Sequence, residues 1–213
     1  MNYNDVPFST GDIILFSGSV CGTKKCFSHF LSCVIKTCTQ SKYSHCGIVI
    51  KNPLCTPEPL DGLYILESTG LENIPDATDN KIKFGVQLRK LDEVIDNYDG
   101  KVYWRQVDCD RNQTFYKKLA TAYSVVYNKP YDLGFEYIKA LFELDVGSLQ
   151  NKKTFVCSAL VAFILVSLGL LPSDTKWSIV TPKELSSYSN KLGLNKFVQP
   201  EIRVIKKVVR KLN

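Results

Sequence analysis

The chain has 213 residues, of which 45% are hydrophobic and 23% are charged, proportions typical of one globular domain with a buried core. These values exclude a disordered chain, a collagen-like repeat and a coiled coil. The 27 Lys and Arg residues outnumber the 21 Asp and Glu residues and give a net charge of +6. Nucleic acid and anionic membranes are therefore considered as partners.

The first half of the chain is predicted to form mostly β-strands. Short apolar runs that follow turn residues are typical of strands, and they occur at 12–16, 46–50, 63–67, 85–88 and 101–107. Apolar residues at helical spacing predict two helices in the same half, over 26–38 and 91–98.

The second half is predicted to be helical. Helical spacing continues from Asn112 to Asn128 and again over 135–144. Residues 155–171 carry no charge but are fewer than the roughly 20 residues that span a membrane, so a buried helix is favoured over a membrane span. The capping box from Thr181 to Glu184 predicts one more helix start. Strands first and helices later indicate an α+β fold.

The eight cysteines are interpreted as reduced thiols, most of them small buried hydrophobic residues. The N-terminal residues lack the basic and apolar regions of a secretory signal, which favours a cytoplasmic location where disulfides are rare. The Cys21/Cys26 and Cys33/Cys38 pairs lack a second ligand set at zinc spacing. The sequence therefore predicts no metal and no cofactor.

Three residues are candidates for a nucleophilic site. Cys157 falls in the first turn of the apolar helix, with Thr154 as the expected N-cap, and a helix N-terminus lowers the pKa of a thiol. His45 begins a strand, and Glu67 ends another strand that can pair with it. An imidazole oriented by an acid activates a thiol. The alternative is a core cysteine, a strand-end histidine and a surface glutamate; His29, the other histidine, lies within a predicted helix.

Six sequence elements occur in a characteristic order. They are Gly11-Asp12-Ile-Ile-Leu-Phe16, Ser44-His45-Cys46-Gly47-Ile48-Val49, Tyr64-Ile-Leu-Glu67-Ser68, Gly85-Val86 with the short helix after it, Pro130-Tyr131-Asp132, and Phe155-Val156-Cys157-Ser158-Ala159-Leu160-Val161, followed by Thr181-Pro182. This order resembles the circularly permuted branch of the NlpC superfamily of papain-like enzymes. That branch includes YiiX-like proteins, lecithin retinol acyltransferase-like proteins and proteins of large DNA viruses.

The resemblance implies a permuted papain-like fold, in which an antiparallel sheet packs on the buried nucleophile helix. It implies Cys157 as the nucleophile, His45 as general base and then acid, and Glu67 as the orienting acid. Tyr43 and Tyr131 are candidates for lining the substrate site, with packed tyrosines as the alternative. The backbone N–H of Cys157 is the expected first oxyanion donor. The Cys21–Cys38 insertion and the 145–153 connection depart from the family pattern and leave the substrate groove undefined.

The sequence thus predicts a cysteine-dependent hydrolase of amide (peptide or isopeptide) or acyl bonds, acting through a thioester. The alternatives are a membrane-associated lipid acyltransferase or hydrolase and a catalytically silent binding module. The expected location is the cytoplasm, or the host cytoplasm or virion for a viral protein, with a peripheral membrane location as an alternative. The 22 Lys against 5 Arg are typical of an AT-rich genome, such as that of a large DNA virus.

The positive charge is concentrated at the C-terminus. We divide the chain into a catalytic domain, 1–202, and a basic amphipathic tail, Arg203–Asn213, which holds five basic residues and no acidic one. The tail is predicted to be helical and either to dock on the core or to contact an anionic membrane. No nucleic-acid partner is predicted, because no helix-turn-helix, zinc finger or RNA-binding aromatic pattern is present.

Overall fold

The computed structural model describes residues 1–18, 41–70, 73–131 and 152–206. The predicted helices at 26–38 and 135–144, the two N-terminal cysteine pairs, His29, Asp132 and the end of the basic tail lie outside the described residues.

Within the described residues the strands form one six-stranded sheet. The strands are β1 (Ile13–Gly18), β2 (His45–Lys51), β3 (Leu63–Thr69), β4 (Gly85–Lys90), β5 (Gly100–Arg105) and β6 (Ile202–Val204). Their order across the sheet is β4-β3-β2-β1-β5-β6, and all neighbours are antiparallel. The predicted α+β class with an antiparallel sheet is confirmed.

In the part of the chain that the structure describes, three α-helices pack on this sheet: α1 (Leu91–Asn97), α2 (Gln113–Val126) and α3 (Cys157–Leu168). Alternate residues of β1, Ile13 and Leu15, face α2 and α3. The residues between them, Ile14 and Phe16, face α1 and the N-terminal segment. Because side chains alternate across a strand, a strand that is apolar throughout is covered on both faces, which explains the unbroken apolar run in β1.

Helix α3 is the buried helix that its composition predicts. Ten of its twelve residues are buried, and it packs against β2, β3 and α2. Gly169 ends the helix in the left-handed conformation at φ 79°, and its N–H is bonded to carbonyls of the last turn, as is common for a C-terminal glycine. No helix in the described part of the chain combines the length and apolar character of a membrane span.

The predicted helix at the Thr181 capping box is wrong, although the box itself forms. The Thr181 N–H donates to Glu184 Oε2 at 2.7 Å, and the Glu184 N–H donates to Thr181 Oγ1 at 3.3 Å. Only turns follow. Arg105 Nη1 donates to the Leu185 carbonyl at 2.7 Å, and the Ser186 hydroxyl donates to the Lys183 carbonyl. The Leu185 carbonyl would otherwise accept from a helical N–H group, so the helix is not extended.

The helix predicted from residue 203 is also wrong over its described part. Arg203 and Val204 belong to β6, which pairs with Val102–Trp104 of β5. The charged N-terminus donates to the Arg203 carbonyl at 3.0 Å and joins the two chain ends. The edge of β5 offers unpaired backbone groups, and a β-branched segment pairs with it. The predicted boundary between residues 202 and 203 therefore falls inside a strand.

Candidate active site

Strand β2 begins at His45, which lies beside the edge of the buried core. Its side chain is 18% exposed, and its ring packs 5.2 Å from the ring of Phe16, which is its neighbour across the β1–β2 pair. The His45 Nε2 atom donates to Glu67 Oε2 at 2.5 Å. Because this nitrogen is bound to the carboxylate, Nδ1 is the ring nitrogen that remains for another partner.

Glu67 lies inside β3 rather than at its end, and its side chain is fully buried. Gly47 of β2 makes room for it. A Cβ at position 47 would lie 2.6 Å from Ile65 Cδ1 and 3.2 Å from Glu67 Cβ. Glycine therefore allows β3 side chains to approach β2 closely, which explains the glycine two residues after His45.

Arg89 of β4 completes the surroundings of Glu67, and sequence reasoning missed it. Its Nε and Nη2 donate to Glu67 Oε1 at 2.8 and 2.6 Å. The arginine is 1% exposed. A signal was present in the sequence, because Gln87 and Arg89 alternate with the apolar Val86 and Leu88 and so share one face of β4. A charge on a buried strand face needs an opposite charge nearby.

Cys157 is the first residue of α3, as predicted, but the expected cap is wrong. The N-cap residue is Val156, which makes no side-chain cap bond, and not Thr154. The segment before the helix is held instead by the hydroxyl of Ser68, which donates to the Phe155 carbonyl at 2.6 Å. The first N–H groups of the helix are therefore not capped by the side chain of Val156, and they favour negative charge at the thiol.

Two residues of β2, Cys46 and His45, lower the pKa of the Cys157 thiol. Cys46 acts through hydrogen bonding from its thiol and its backbone N–H, and His45 acts through hydrogen bonding and its charge. The bond from Cys46 is the largest effect, and together these interactions hold the pKa of Cys157 well below its ordinary value even though burial raises it. A thiolate is the nucleophilic form of cysteine.

The pKa values of His45 and Glu67 are shifted in the directions that favour their charged forms. Burial lowers the pKa of His45, but hydrogen bonds and charges from Cys157 and Glu67 outweigh it and raise the pKa to about 10. Burial raises the pKa of Glu67, but the charge of Arg89 and the hydrogen bond from His45 outweigh it and lower the pKa. The shifts of Cys157 and His45 in opposite directions favour a thiolate–imidazolium pair, and the ionised form of Glu67 is favoured beside it.

The two tyrosines predicted to line the substrate site are packed differently. Tyr43 is 1% exposed, and its ring lies 5.5 Å from that of Tyr103. Burial raises the pKa of its hydroxyl. Tyr131 is half-buried and forms an isolated parallel β-bridge with Phe155, and its ring lies 5.3 Å from that of Phe84. It thus lies next to the segment that leads into Cys157, whereas Tyr43 belongs to the core.

The Gly-Asp element of β1 does not contribute a side chain to this site. Asp12 is fully buried, and its oxygens accept from the Trp104 indole at 2.7 Å, the Val107 N–H at 3.0 Å and Arg111 at 3.1 Å. It links β1 with β5 and with the loop after β5. Gly11 supplies the turn before it at φ 96°, a conformation that favours glycine.

Among the described residues, no group of three or more His, Cys, Asp and Glu side chains is arranged to hold a metal ion. Three of the four cysteines in this part of the chain, Cys46, Cys55 and Cys109, have thiols with raised pKa values, mainly because of burial. The pKa of the Cys157 thiol is lowered instead.

No protein-family model matches the chain, and no curated protein matches it significantly. Among solved structures, it is similar to the metalloprotein YiiX from Escherichia coli O157:H7, with 19% identity, 93% of this chain and 97% of that chain covered, and a TM-score of 0.47. YiiX-like proteins are one of the groups that the sequence elements resemble. At this identity and score, function has to be argued from the site itself.

Proposed function

We propose that the protein is a cysteine-dependent hydrolase that cleaves an amide or acyl bond through a thioester on Cys157. The observations that carry the proposal are the hydrogen bond from His45 Nε2 to Glu67 Oε2 and the opposite pKa shifts of Cys157 and His45, which follow from the hydrogen bonding and charge interaction between them. A thiol, an imidazole and an orienting acid in this order form an activated nucleophile. The chain order of histidine, acid and cysteine is that expected of the permuted papain-like arrangement.

The site supports both halves of such a reaction. The Cys157 thiolate attacks the substrate carbonyl, and the carbonyl electrons move to oxygen, which the Cys157 N–H at the helix start stabilises. The oxyanion then collapses to the thioester as the imidazolium of His45 gives its proton to the leaving amine or alcohol. Neutral His45 next takes a proton from water, whose oxygen attacks the thioester. Collapse of this second oxyanion releases the acid product and the Cys157 thiolate, and His45 keeps the proton, so the starting state of the site is restored.

The substrate is proposed to be a peptide, an isopeptide or an acyl lipid. The ionised groups linked through Glu67 favour an enzyme over a silent binding module. In a binding module, a buried thiolate and imidazolium would contribute only if a ligand contacted them. Perturbed ionisable groups that share one site are typical of catalytic centres. A lipid acyl substrate would add contact with an anionic membrane through the basic tail.

The test is turnover on matched peptide, isopeptide and phospholipid panels, with intact-mass detection of an acyl group on the protein. We expect Cys157→Ala to abolish turnover and the adduct, while Cys109→Ala, which changes a thiol outside the site, retains both. Adduct formation with only one panel identifies the acyl class. Turnover that survives Cys157→Ala, or the absence of any adduct across all panels, would contradict the proposal.

A further inference from the structure

We infer that Arg89 is a positioning residue that keeps Glu67 ionised and, through His45, keeps Cys157 as a reactive thiolate. This inference rests on the proposed function, because it assigns a role within that same site. The role is distinct from catalysis itself, since Arg89 contacts the carboxylate and acts on the thiol only through two intervening side chains.

The two oxygens of Glu67 are divided between its partners. Two nitrogens of Arg89, Nε and Nη2, donate to Oε1 at 2.8 and 2.6 Å. Oε2 is bound by His45 Nε2 at 2.5 Å. The arginine therefore neutralises the carboxylate and fixes its plane without competing for the oxygen that orients the imidazole. Charge-assisted bonds of this kind are stronger than bonds between neutral groups.

The register of the sheet shows why this role falls to Arg89. Glu67 is opposite Gln87 in the β3–β4 pair, and Arg89 is opposite Ile65. Gln87 donates to the Lys83 carbonyl at 3.3 Å and carries no charge. Arg89 lies on the same face, two residues further along β4, and is close enough to reach Glu67 diagonally across the two strands.

The charges inside the site balance only when Arg89 is present. The groups that act on Glu67 are Arg89 and His45, and those that act on His45 from the other side are Cys157 and Glu67. Cys46 acts on Cys157 as a neutral thiol donor. A buried carboxylate without a cation is protonated more readily. Loss of Arg89 would therefore neutralise Glu67, lower the pKa of His45 and raise that of Cys157.

The experiment measures the pH dependence of Cys157 alkylation by iodoacetamide, read by peptide mass mapping. Only the thiolate reacts, so the acid limb of the rate reports the ionisation of Cys157. We expect Arg89→Met to move this limb upward by about one pH unit, which is about tenfold slower alkylation below the limb. Arg89→Lys retains a cation, so its limb should shift less.

Two comparisons separate this role from simple support of the fold. Arg105→Lys alters another fully buried arginine, which bonds the Gln199, Leu185 and Val198 carbonyls, so it should lower stability without moving the limb. In the Glu67→Gln background, adding Arg89→Met should cause no further shift of the acid limb of Cys157 alkylation. It should also restore stability relative to Glu67→Gln alone, because it removes the buried charge of Arg89 that Glu67→Gln leaves unpaired. If Arg89→Met does not fold, Arg89→Lys and the double variant carry the test.

The outcomes also separate this inference from the proposed function. If Cys157 of the wild type reacts no faster than Cys55 and Cys109 at neutral pH, the proposed function fails. If Cys157 is selectively alkylated but its acid limb is the same in Arg89→Met and Arg89→Lys as in the wild type, Arg89 has no positioning role and the proposed function stands. A limb that moves equally in Arg105→Lys would also overturn the inference.

Discussion

Two fully buried carboxylates, Asp12 and Glu67, lie on neighbouring parts of one sheet and have different consequences. Each is paired with an arginine, Arg111 or Arg89. The other partners of Asp12 are backbone N–H groups and an indole. The further partner of Glu67 is a histidine that is linked to a thiol. The difference teaches that two equally buried acids, each with an arginine, can have further partners of different chemistry: backbone and indole donors for Asp12, and the histidine of the proposed site for Glu67.

The two acids also differ in the direction of their pKa shifts. Burial raises the pKa of Asp12 more than its hydrogen bonds and Arg111 lower it. For Glu67, Arg89 and His45 outweigh burial and lower the pKa. A lowered pKa in the folded state stabilises the protein above the ordinary carboxyl range, and this contribution is lost as the pH falls. Of these two acids, Glu67 is the one whose ionised form is favoured by folding, and its hydrogen bond to His45 links that ionisation to the site.

The largest expected effect is a loss of stability when Asp12 is removed. Asp12→Ala leaves the Trp104 indole, the Val107 N–H and the Arg111 guanidinium without their acceptor. Removing one partner of a buried charged pair costs about 3–5 kcal/mol. We expect a loss of this size in the free energy of unfolding, measured by denaturant titration, with the exposed Asp61→Ala as the control.

The folded fraction of Asp12→Ala should still show the wild-type pH dependence of Cys157 alkylation. A shifted acid limb would mean that Asp12 also acts on the site, and the contrast between the two acids would be lost.

The next largest expected effect is a loss of turnover when Glu67, the acid of the proposed site, is made neutral. Glu67→Gln keeps the size of the side chain but removes one of the two charges that raise the pKa of His45; the other, that of Cys157, remains. The alkaline limb of turnover, set near 10 by loss of the His45 proton, should move down toward the ordinary imidazole value of 6.5. We expect turnover to fall about a hundredfold at neutral pH, measured across the pH range. An alkaline limb that stays in place would show that Glu67 does not control His45.

The smallest expected effect tests the role of the Cys46 thiol. Cys46→Ala removes the thiol donor to the Cys157 sulfur but leaves its backbone N–H donor and His45. The pKa of Cys157 should rise, and the acid limb of its alkylation should move upward by less than in Arg89→Met. Cys55→Ala, at a half-buried position outside the site, should change nothing. An unchanged limb in Cys46→Ala would assign the lowered pKa of Cys157 to His45 and the helix terminus.

Much of the fold could be predicted because local patterns decide it. The apolar runs that became β1 to β5 and the uncharged stretch that became α3 are local signals. The β6 segment was missed because its partner, β5, is about a hundred residues away and its side chains also fit helical spacing. The helix after Thr181 failed for a similar reason, since a distant arginine binds the Leu185 carbonyl.

The candidate site shows the same limit. Cys157, His45 and Glu67 carry recognisable local patterns; in the structure His45 hydrogen-bonds to Glu67, and its charge helps to lower the pKa of Cys157. Arg89 carries no such pattern, because its importance depends on the register between β3 and β4. Cys46 was interpreted as a small buried hydrophobic residue, and only the packing of α3 on β2 places its thiol beside Cys157.

The central claim is that Cys157 and His45 exist as a thiolate and an imidazolium at neutral pH. The direct measurement is the ultraviolet absorbance of the thiolate across a pH titration, taken as the difference between the wild type and Cys157→Ser. We predict that one thiolate per chain is already present at neutral pH and is lost only in the acid range. A difference that first appears near pH 8.5, where an ordinary thiol ionises, would contradict the account.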